Sequence, residues 1–221
     1  MKQLVATIVF MAAGLATFSA GAGSFDDFFS AIKSDNAGAV RELIQRGFDP
    51  NTRDAQGQTG LLNALKEPAP KVTRVLIESP KTDLDAVNNQ GESALMLAAL
   101  KGQQAEVNEL LERDAAVNKT GWTPLHYAVT GSHLTIMKQL IEKYAFIDAQ
   151  SPNGTTPLMM AAMYGSNETV KLLIEEGADP LMKNQLGMTA ADFAKRANRP
   201  DAMALVIAAM RGKMPAGDGK W

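Results

Sequence analysis

The sequence predicts an all-α solenoid, in which one helix–turn–helix unit is copied several times and the copies stack side by side. Five short segments begin alike, with a glycine followed two residues later by threonine or serine. These glycines stand at intervals of 34, 30, 33 and 33 residues, at Gly57, Gly91, Gly121, Gly154 and Gly187. A period of this size indicates one supersecondary unit that buries its apolar face only by stacking on its neighbours.

The fourth copy shows why each unit should contain two helices. Thr156–Pro157 suits a helix start, because threonine caps the free N–H groups and proline fits the first turn. The apolar residues within Leu158–Ala162 and within Val170–Ile174 recur at helical spacing and predict two buried stripes. Gly177 follows the second stripe, where a residue that tolerates positive φ commonly ends a helix.

The third copy carries the most specific motif. Residues 123–128 read Thr-Pro-Leu-His-Tyr-Ala, which matches the T-P-L-H-x-A signature of the ankyrin repeat. The chain therefore resembles ankyrin-repeat proteins, and in particular those that bacteria secrete or keep in the periplasm. The resemblance implies an ankyrin-repeat solenoid of about six repeats with short β-hairpin-like fingers. The expected repeats are residues 24–56, 57–90, 91–120, 121–153, 154–186 and 187–211.

Two copies depart from the regular pattern. The second carries prolines within Glu67–Pro70, between its helices, and is one residue longer than most. The third is three residues short, because only Lys119 and Thr120 separate Asn118 from Gly121. Asp114 also stands where the fourth copy has its helix-ending glycine. We expect a shortened finger or a local change in stacking between the third and fourth copies.

The N-terminal residues resemble a secretory signal peptide. Lys2 precedes an apolar run from Leu4 to Phe18, and small residues follow up to an Ala-x-Ala site. We expect residues 1–22 to be removed by cleavage after Ala22, which makes the protein periplasmic or secreted. The alternative is an N-terminal membrane anchor. At the other end, residues 212–221 are rich in glycine and are expected to form a flexible tail.

The amino-acid composition excludes several kinds of active site and partner. The absence of cysteine excludes disulfides and thiolate chemistry, and the net charge of −2 is dispersed without any basic run. We therefore expect the protein to have no cofactor, no bound metal and no catalytic residue. We also expect no nucleic-acid partner and a monomeric state. Of the two histidines, His126 lies in the family motif, where the resemblance implies a hydrogen bond between repeats, and His133 lies at a helix start, where polar residues cap.

The resemblance also implies where a partner would bind. In ankyrin stacks the fingers and the exposed positions of the first helices line a concave face. Apolar and aromatic residues gather at those positions in repeats 3 to 6, and Trp122 and Tyr164 are the expected anchors. The alternative is that Trp122 packs under the shortened finger and that Leu100 and Met163 fill gaps between repeats. The predicted contacts are Leu100, Trp122, Tyr127, Thr155, Met160, Met163, Tyr164 and Met188.

These features predict an exported, non-enzymatic scaffold that binds another protein through its concave face. The resemblance to secreted bacterial ankyrin proteins implies a partner such as a periplasmic enzyme, including enzymes of peroxide defence. An immunity protein that inhibits a toxin enzyme by binding it is the alternative mechanism. A hydrolase or a redox-active protein is the rival from another class.

Overall fold

The computed structural model describes residues 22–213, and these residues form twelve α-helices in consecutive pairs. The predicted all-α class is therefore confirmed. The predicted signal peptide, except for Ala22, and the predicted tail from residue 214 onward lie outside the described residues. The last helix includes Gly212 and Lys213, which the sequence assigns to the tail.

The helices are α1 (Ala22–Lys33), α2 (Ala37–Gln45), α3 (Gly60–Lys66), α4 (Pro70–Glu78), α5 (Ala94–Lys101), α6 (Gln104–Glu112), α7 (Pro124–Thr130), α8 (Leu134–Glu142), α9 (Pro157–Tyr164), α10 (Asn167–Glu175), α11 (Ala190–Arg196) and α12 (Pro200–Lys213).

The helices stack in two rows. The first helices of the pairs pack on one another along one row, and the second helices follow behind them. The first helices start as the sequence predicts, since Thr59, Thr156 and Thr189 each accept a hydrogen bond from a backbone N–H of the first turn. Fully buried alanines such as Ala128 and Ala161 let neighbouring first helices approach closely. One continuous apolar core results, with no separate domain boundary in residues 22–213.

A turn, here called a finger, precedes each first helix from α3 onward. In four fingers the glycine has φ between +71° and +77° and donates its N–H to the carbonyl three residues earlier. In the described part of the chain only one β-bridge occurs, between Arg53 and Thr59, so the expected hairpin-like fingers are mainly turns. The fingers are finger 1 (54–57), finger 2 (88–91), finger 3 (119–121), finger 4 (151–154) and finger 5 (184–187).

The three missing residues of the third repeat are lost from the tip of finger 3. The base of the finger is intact, because Asn118 Oδ1 accepts from Phe146 N and Nδ2 donates to Tyr144 O, both at 2.8 Å. Asn51 makes the same pair of bonds in the first repeat. Asp114 adopts φ of +59° after α6, so it replaces the usual glycine as the sequence predicts. The predicted shortened finger is therefore present.

Stacking also changes beside finger 3. The first helices α5 and α7 pack more extensively than any other neighbouring pair, whereas the second helices α6 and α8 barely meet. An amide cluster spans the space between the second helices: Asn108 Oδ1 accepts from Gln104 Nε2 and from Gln139 Nε2, both at 2.9 Å. At this junction the first helices therefore pack closely while the second helices are held apart. This is the local change that the short repeat predicts.

Candidate protein-binding site on the concave face

His126 is the centre around which the candidate site is built. Its ring is 1% exposed, and it lies at the third position of α7. Nε2 lies 3.0 Å from the carbonyl oxygen of Thr155, so Nε2 carries the proton and donates it to the next repeat. Nδ1 accepts from the N–H of Thr123 at 3.2 Å and pairs with its Oγ1 at 2.9 Å. Burial lowers the pKa of His126 to about 4, so the ring is neutral at pH 7.

A shallow apolar pocket lies over this histidine. The Trp122 ring packs nearly perpendicular to the imidazole, with ring centroids 5.2 Å apart and an interplanar angle of 79°, so Trp122 is held on His126 rather than left free. The pocket has a volume of about 280 Å³. Its walls come from three consecutive repeats, and they are Leu100, Trp122, His126, Tyr127, Thr130 and Met160.

One wall of the pocket leads to a carboxylate. Tyr127 Oη donates to Glu92 Oε1 at 3.0 Å, and the other oxygen of Glu92 accepts from Asn88 Nδ2 at 2.8 Å. Desolvation and the neighbouring Glu92 charge both raise the pKa of Tyr127, so its hydroxyl keeps its proton and remains a donor. The network links finger 2 to α7 across two repeats.

The pocket brings together four of the eight predicted contacts, namely Leu100, Trp122, Tyr127 and Met160. Met163, Tyr164 and Met188 lie outside it. Tyr164 is 56% exposed at the end of α9, while the two methionines are partly buried. The two anchors predicted from the sequence therefore do not share one pocket.

Thr155 corrects the predicted set. Its residue is only 2% exposed, and its carbonyl oxygen accepts the hydrogen bond from His126. Its N–H is bonded to Ser151 Oγ at 3.0 Å. Thr155 therefore joins two repeats and has no surface to offer a partner, although it occupies the same repeat position as Trp122.

The sequence reasoning missed two exposed aromatic residues outside the concave face. Tyr144 is 84% exposed with φ of +65°, and Phe146 is 66% exposed. The signal was available, because Tyr144 occupies the position that Gly177 holds in the next repeat, and Phe146 occupies that of Asp179. Asp179 accepts the N–H of Leu181, a turn contact that a phenyl ring cannot make.

His133 also differs from its predicted role. It stands at the N-terminal cap position of α8, but its side chain makes no capping bond. Instead Nε2 lies 3.0 Å from the carbonyl oxygen of Leu100, so the ring bonds the end of α5 in the preceding repeat. The ring fits beside Gly102 and Gly131, where a Cβ atom would lie within 2.6 Å of it. His133 therefore joins repeats rather than capping a helix.

The described residues offer no second site that fits a protein partner, a metal ion or a membrane as well as this pocket fits a protein partner. A larger hollow of about 560 Å³ lies between α1 and finger 1, but charged side chains including Asp26, Lys33 and Glu67 line it. Residues 22–213 contain no group of three side chains placed to hold a metal ion. No helix within that range is both long and apolar enough to cross a membrane.

Comparison with known families agrees with the geometry. The family model for ankyrin repeats matches three overlapping stretches, at residues 28–119, 70–151 and 145–214. The chain belongs to the ankyrin-repeat family. Ankyrin-repeat domains bind other proteins, and members of the family are generally scaffolds without enzymatic activity.

Curated relatives share the repeats but are much longer proteins. The chain is 33% identical over 152 residues to the B-cell lymphoma 3 protein homolog of Mus musculus, covering 66% of this chain and 34% of that protein. It is 32% identical over 159 residues to the tyrosine-protein kinase Shark of Drosophila melanogaster, covering 70% of this chain and 17% of that protein. The chain thus spans about a third or less of these relatives.

Solved structures match over most of this chain. One comes from the complex of the Bd0816 predatory endopeptidase of Bdellovibrio bacteriovorus with immunity protein Bd3460, with a TM-score of 0.71 and 28% identity over 82% of this chain and 97% of that chain. The ankyrin repeat domain of Bcl-3 matches with a TM-score of 0.69 and 29% identity, covering 81% of each chain. An ankyrin repeat domain from Acinetobacter baumannii AYE, at 23% identity, has the same fold with a TM-score of 0.71.

Proposed function

We propose that this protein is a non-enzymatic scaffold that binds one partner protein through the concave face, with the Trp122 pocket at the centre of the contact. The observation that carries the proposal is the pocket itself, where partly exposed aromatic and apolar side chains from three consecutive repeats line one hollow. Exposed apolar surface of this kind marks sites of protein association, and buried aromatic anchors supply most of the binding energy there.

The state of His126 supports a binding role rather than catalysis. A general base must reach a substrate proton, and its pKa should lie near the working pH. Both nitrogens of His126 are already bonded within the protein, and burial lowers its pKa to about 4. His126, the residue that most resembles a catalytic group, therefore serves to join the repeats.

We further propose that the protein is exported and that its partner is a periplasmic or secreted protein. The N-terminal sequence supports this, because residues 1–22 have the composition of a signal peptide. The test is mass spectrometry of the protein recovered from its source cells. Export predicts a periplasmic or secreted product that begins at Gly23, whereas an intact N-terminus in the cytosol would contradict it.

Inhibition of a toxin-like or lytic enzyme is the second candidate. The similarity to a chain from an endopeptidase–immunity protein complex, over 97% of that chain, favours it. The two candidates differ in what happens to the partner's activity. An inhibitor abolishes that activity in the purified complex, whereas a supporting scaffold leaves it unchanged or raises it.

The deciding experiment is cross-linked capture from the envelope fraction of the source organism, followed by binding measurements with the purified partner. Trp122→Ala should weaken binding by about thirtyfold or more, which corresponds to a hot-spot loss of about 2 kcal/mol. The matched control is Tyr144→Ala, which removes an exposed aromatic ring outside the concave face. Equal weakening by both variants, or by neither while both remain folded, would overturn the proposed site.

A further inference from the structure

Glu92 is an unusual neighbour for an apolar pocket. Its carboxylate is partly buried and accepts hydrogen bonds from Tyr127 and Asn88. Among the described residues the ion pairs involve other side chains, and none reaches Glu92. Lys101, at the other end of α5, points to the second repeat, since its Nζ donates to the carbonyls of Leu65 and Lys66. A partly buried carboxylate therefore lies beside the binding pocket, hydrogen-bonded to neutral groups but paired with no cation among the described residues.

The pocket has the size and wall chemistry for one long side chain. Its volume of about 280 Å³ is below the range of about 300–1,000 Å³ that drug-sized ligands occupy. Leu100 and Met160 supply aliphatic walls, while Trp122 and Tyr127 supply aromatic ones. Because Tyr127 Oη lies 3.0 Å from Glu92 Oε1, the aromatic wall ends directly at the carboxylate.

We infer that this pocket recognises an arginine side chain of the partner protein. The inference rests on the proposed function and names the chemistry of its central contact. The methylene stem packs against Leu100 and Met160, and the guanidinium lies against the Trp122 and Tyr127 rings and reaches the Glu92 carboxylate. Arginine fits better than lysine, because its planar group stacks on aromatic rings and bonds carboxylates in a fixed geometry.

The inference can be tested without the natural partner. Trp221 is changed to Phe, which leaves Trp122 as the only tryptophan and as a fluorescent reporter inside the pocket. Three blocked pentapeptides are titrated, Gly-Gly-Xaa-Gly-Gly with arginine, citrulline or leucine at the centre. Citrulline keeps the shape of arginine but has no charge. We expect the arginine peptide to bind at least about tenfold more tightly than the citrulline peptide, a difference of about 1.4 kcal/mol.

The matched variant is Glu92→Gln, which keeps the size of the side chain, removes its charge and replaces one of its two accepting oxygens by an N–H donor group. This change should weaken the arginine peptide about tenfold or more and leave the leucine peptide unaffected. Tighter binding of the leucine peptide than of the arginine peptide, or an arginine affinity that Glu92→Gln does not change, would overturn the inference. Far-ultraviolet circular dichroism and melting curves establish that each variant is folded.

Partner capture separates this inference from the proposed function. If Trp122→Ala loses the partner while Glu92→Gln retains it at full affinity, the concave face is the binding site and arginine recognition is wrong. If both variants bind as the wild type does, the concave face itself is wrong. Loss of binding in both variants, with selectivity for the arginine peptide, supports both.

Discussion

His126 shows how one buried side chain fixes both packing and pH dependence. The folded protein holds its ring neutral, with a pKa of about 4 against 6.5 for a free histidine. The unfolded chain therefore binds a proton more readily than the folded protein does between these values. Stability contributed by the neutral ring is fully present above about pH 6.5 and falls as the pH decreases toward 4.

We expect His126 to contribute a decline of about 2–3 kcal/mol in the free energy of unfolding between pH 6.5 and pH 4.5. Urea denaturation at several pH values measures it. His126→Gln has no titrating ring and should show a correspondingly shallower decline, although it is less stable at pH 7. His133→Gln keeps His126 and should retain the wild-type decline. Parallel pH profiles for the wild type and His126→Gln would contradict the assignment.

The sequence predicts the role of a residue where that role depends only on the residue's position within the repeat. The motif containing His126 implies a bond between repeats, and the structure shows that bond with Thr155. The bond from Tyr127 to Glu92 was not predictable, because it joins residues 35 positions apart through side-chain orientation. Tyr144 was overlooked because its side-chain type does not suggest positive φ, which only alignment with Gly177 reveals.

At the scale of elements, three repeats each use one side chain to satisfy the end of a first helix in the preceding repeat. Helix C-termini leave carbonyl groups without partners inside the helix. Gln103 donates to Leu65 O and His133 pairs with Leu100 O, so side chains near the start of the second helices fill this need. Arg199 does the same for α9, donating to Ala161 O at 2.8 Å and to Ala162 O at 3.0 Å.

The Arg199 contact gives a prediction for α9. This helix ends at Gly165 with φ of −77°, so it lacks the left-handed glycine that ends α5. Arg199→Met keeps the aliphatic stem but loses both hydrogen bonds, and it should lower the free energy of unfolding by about 1–2 kcal/mol. Chemical denaturation measures the change. Arg196→Met is the control, because Arg196 is exposed and should change stability by less than about 0.5 kcal/mol. Equal effects would show that the lost charge, and not the carbonyl contact, matters.

The helix pairs themselves were the easiest elements to predict. Thr-Pro starts and apolar stripes are local signals, and they predict that α7 and α9 begin at Pro124 and Pro157, as observed. The spacing of α6 and α8 could not be predicted in the same way. It follows from how closely α5 and α7 pack in front of them, and from the amides of Gln104, Asn108 and Gln139 that span the remaining space.

At the scale of the whole molecule, the fingers form two linked groups rather than one row. Fingers 1 and 2 are joined by bonds that include Asn89 Nδ2 to Gln56 O at 3.1 Å. Fingers 4 and 5 are joined by Gln185 N to Asn153 O at 3.0 Å. In residues 22–213, no hydrogen bond connects finger 3 with finger 2 or finger 4. The missing tip therefore interrupts the finger row at the same junction where the second helices separate.

Restoring the finger tip should reconnect the row. Insertion of Ser-Pro-Asn between Thr120 and Gly121 reproduces the tip of finger 4, in which Ser151 N donates to Thr155 O and Ser151 Oγ accepts from Thr155 N. We expect two or three new hydrogen bonds, each worth about 1 kcal/mol net, against a loop-closure cost below about 1 kcal/mol. The free energy of unfolding in urea should therefore rise by about 1–2 kcal/mol, and hydrogen exchange at the amides of Gly91 and Gly154 should slow.

A Gly-Gly-Gly insertion at the same place distinguishes the effect of the hydrogen bonds in the finger tip from the effect of finger length. It lengthens the loop equally but offers no side chain to hold a turn, so it should leave stability unchanged or slightly lowered. If both insertions stabilise the protein equally, relief of a tight connection, and not the finger row, governs the junction. If neither changes stability or amide exchange, the close packing of α5 on α7 alone holds the two halves of the stack together.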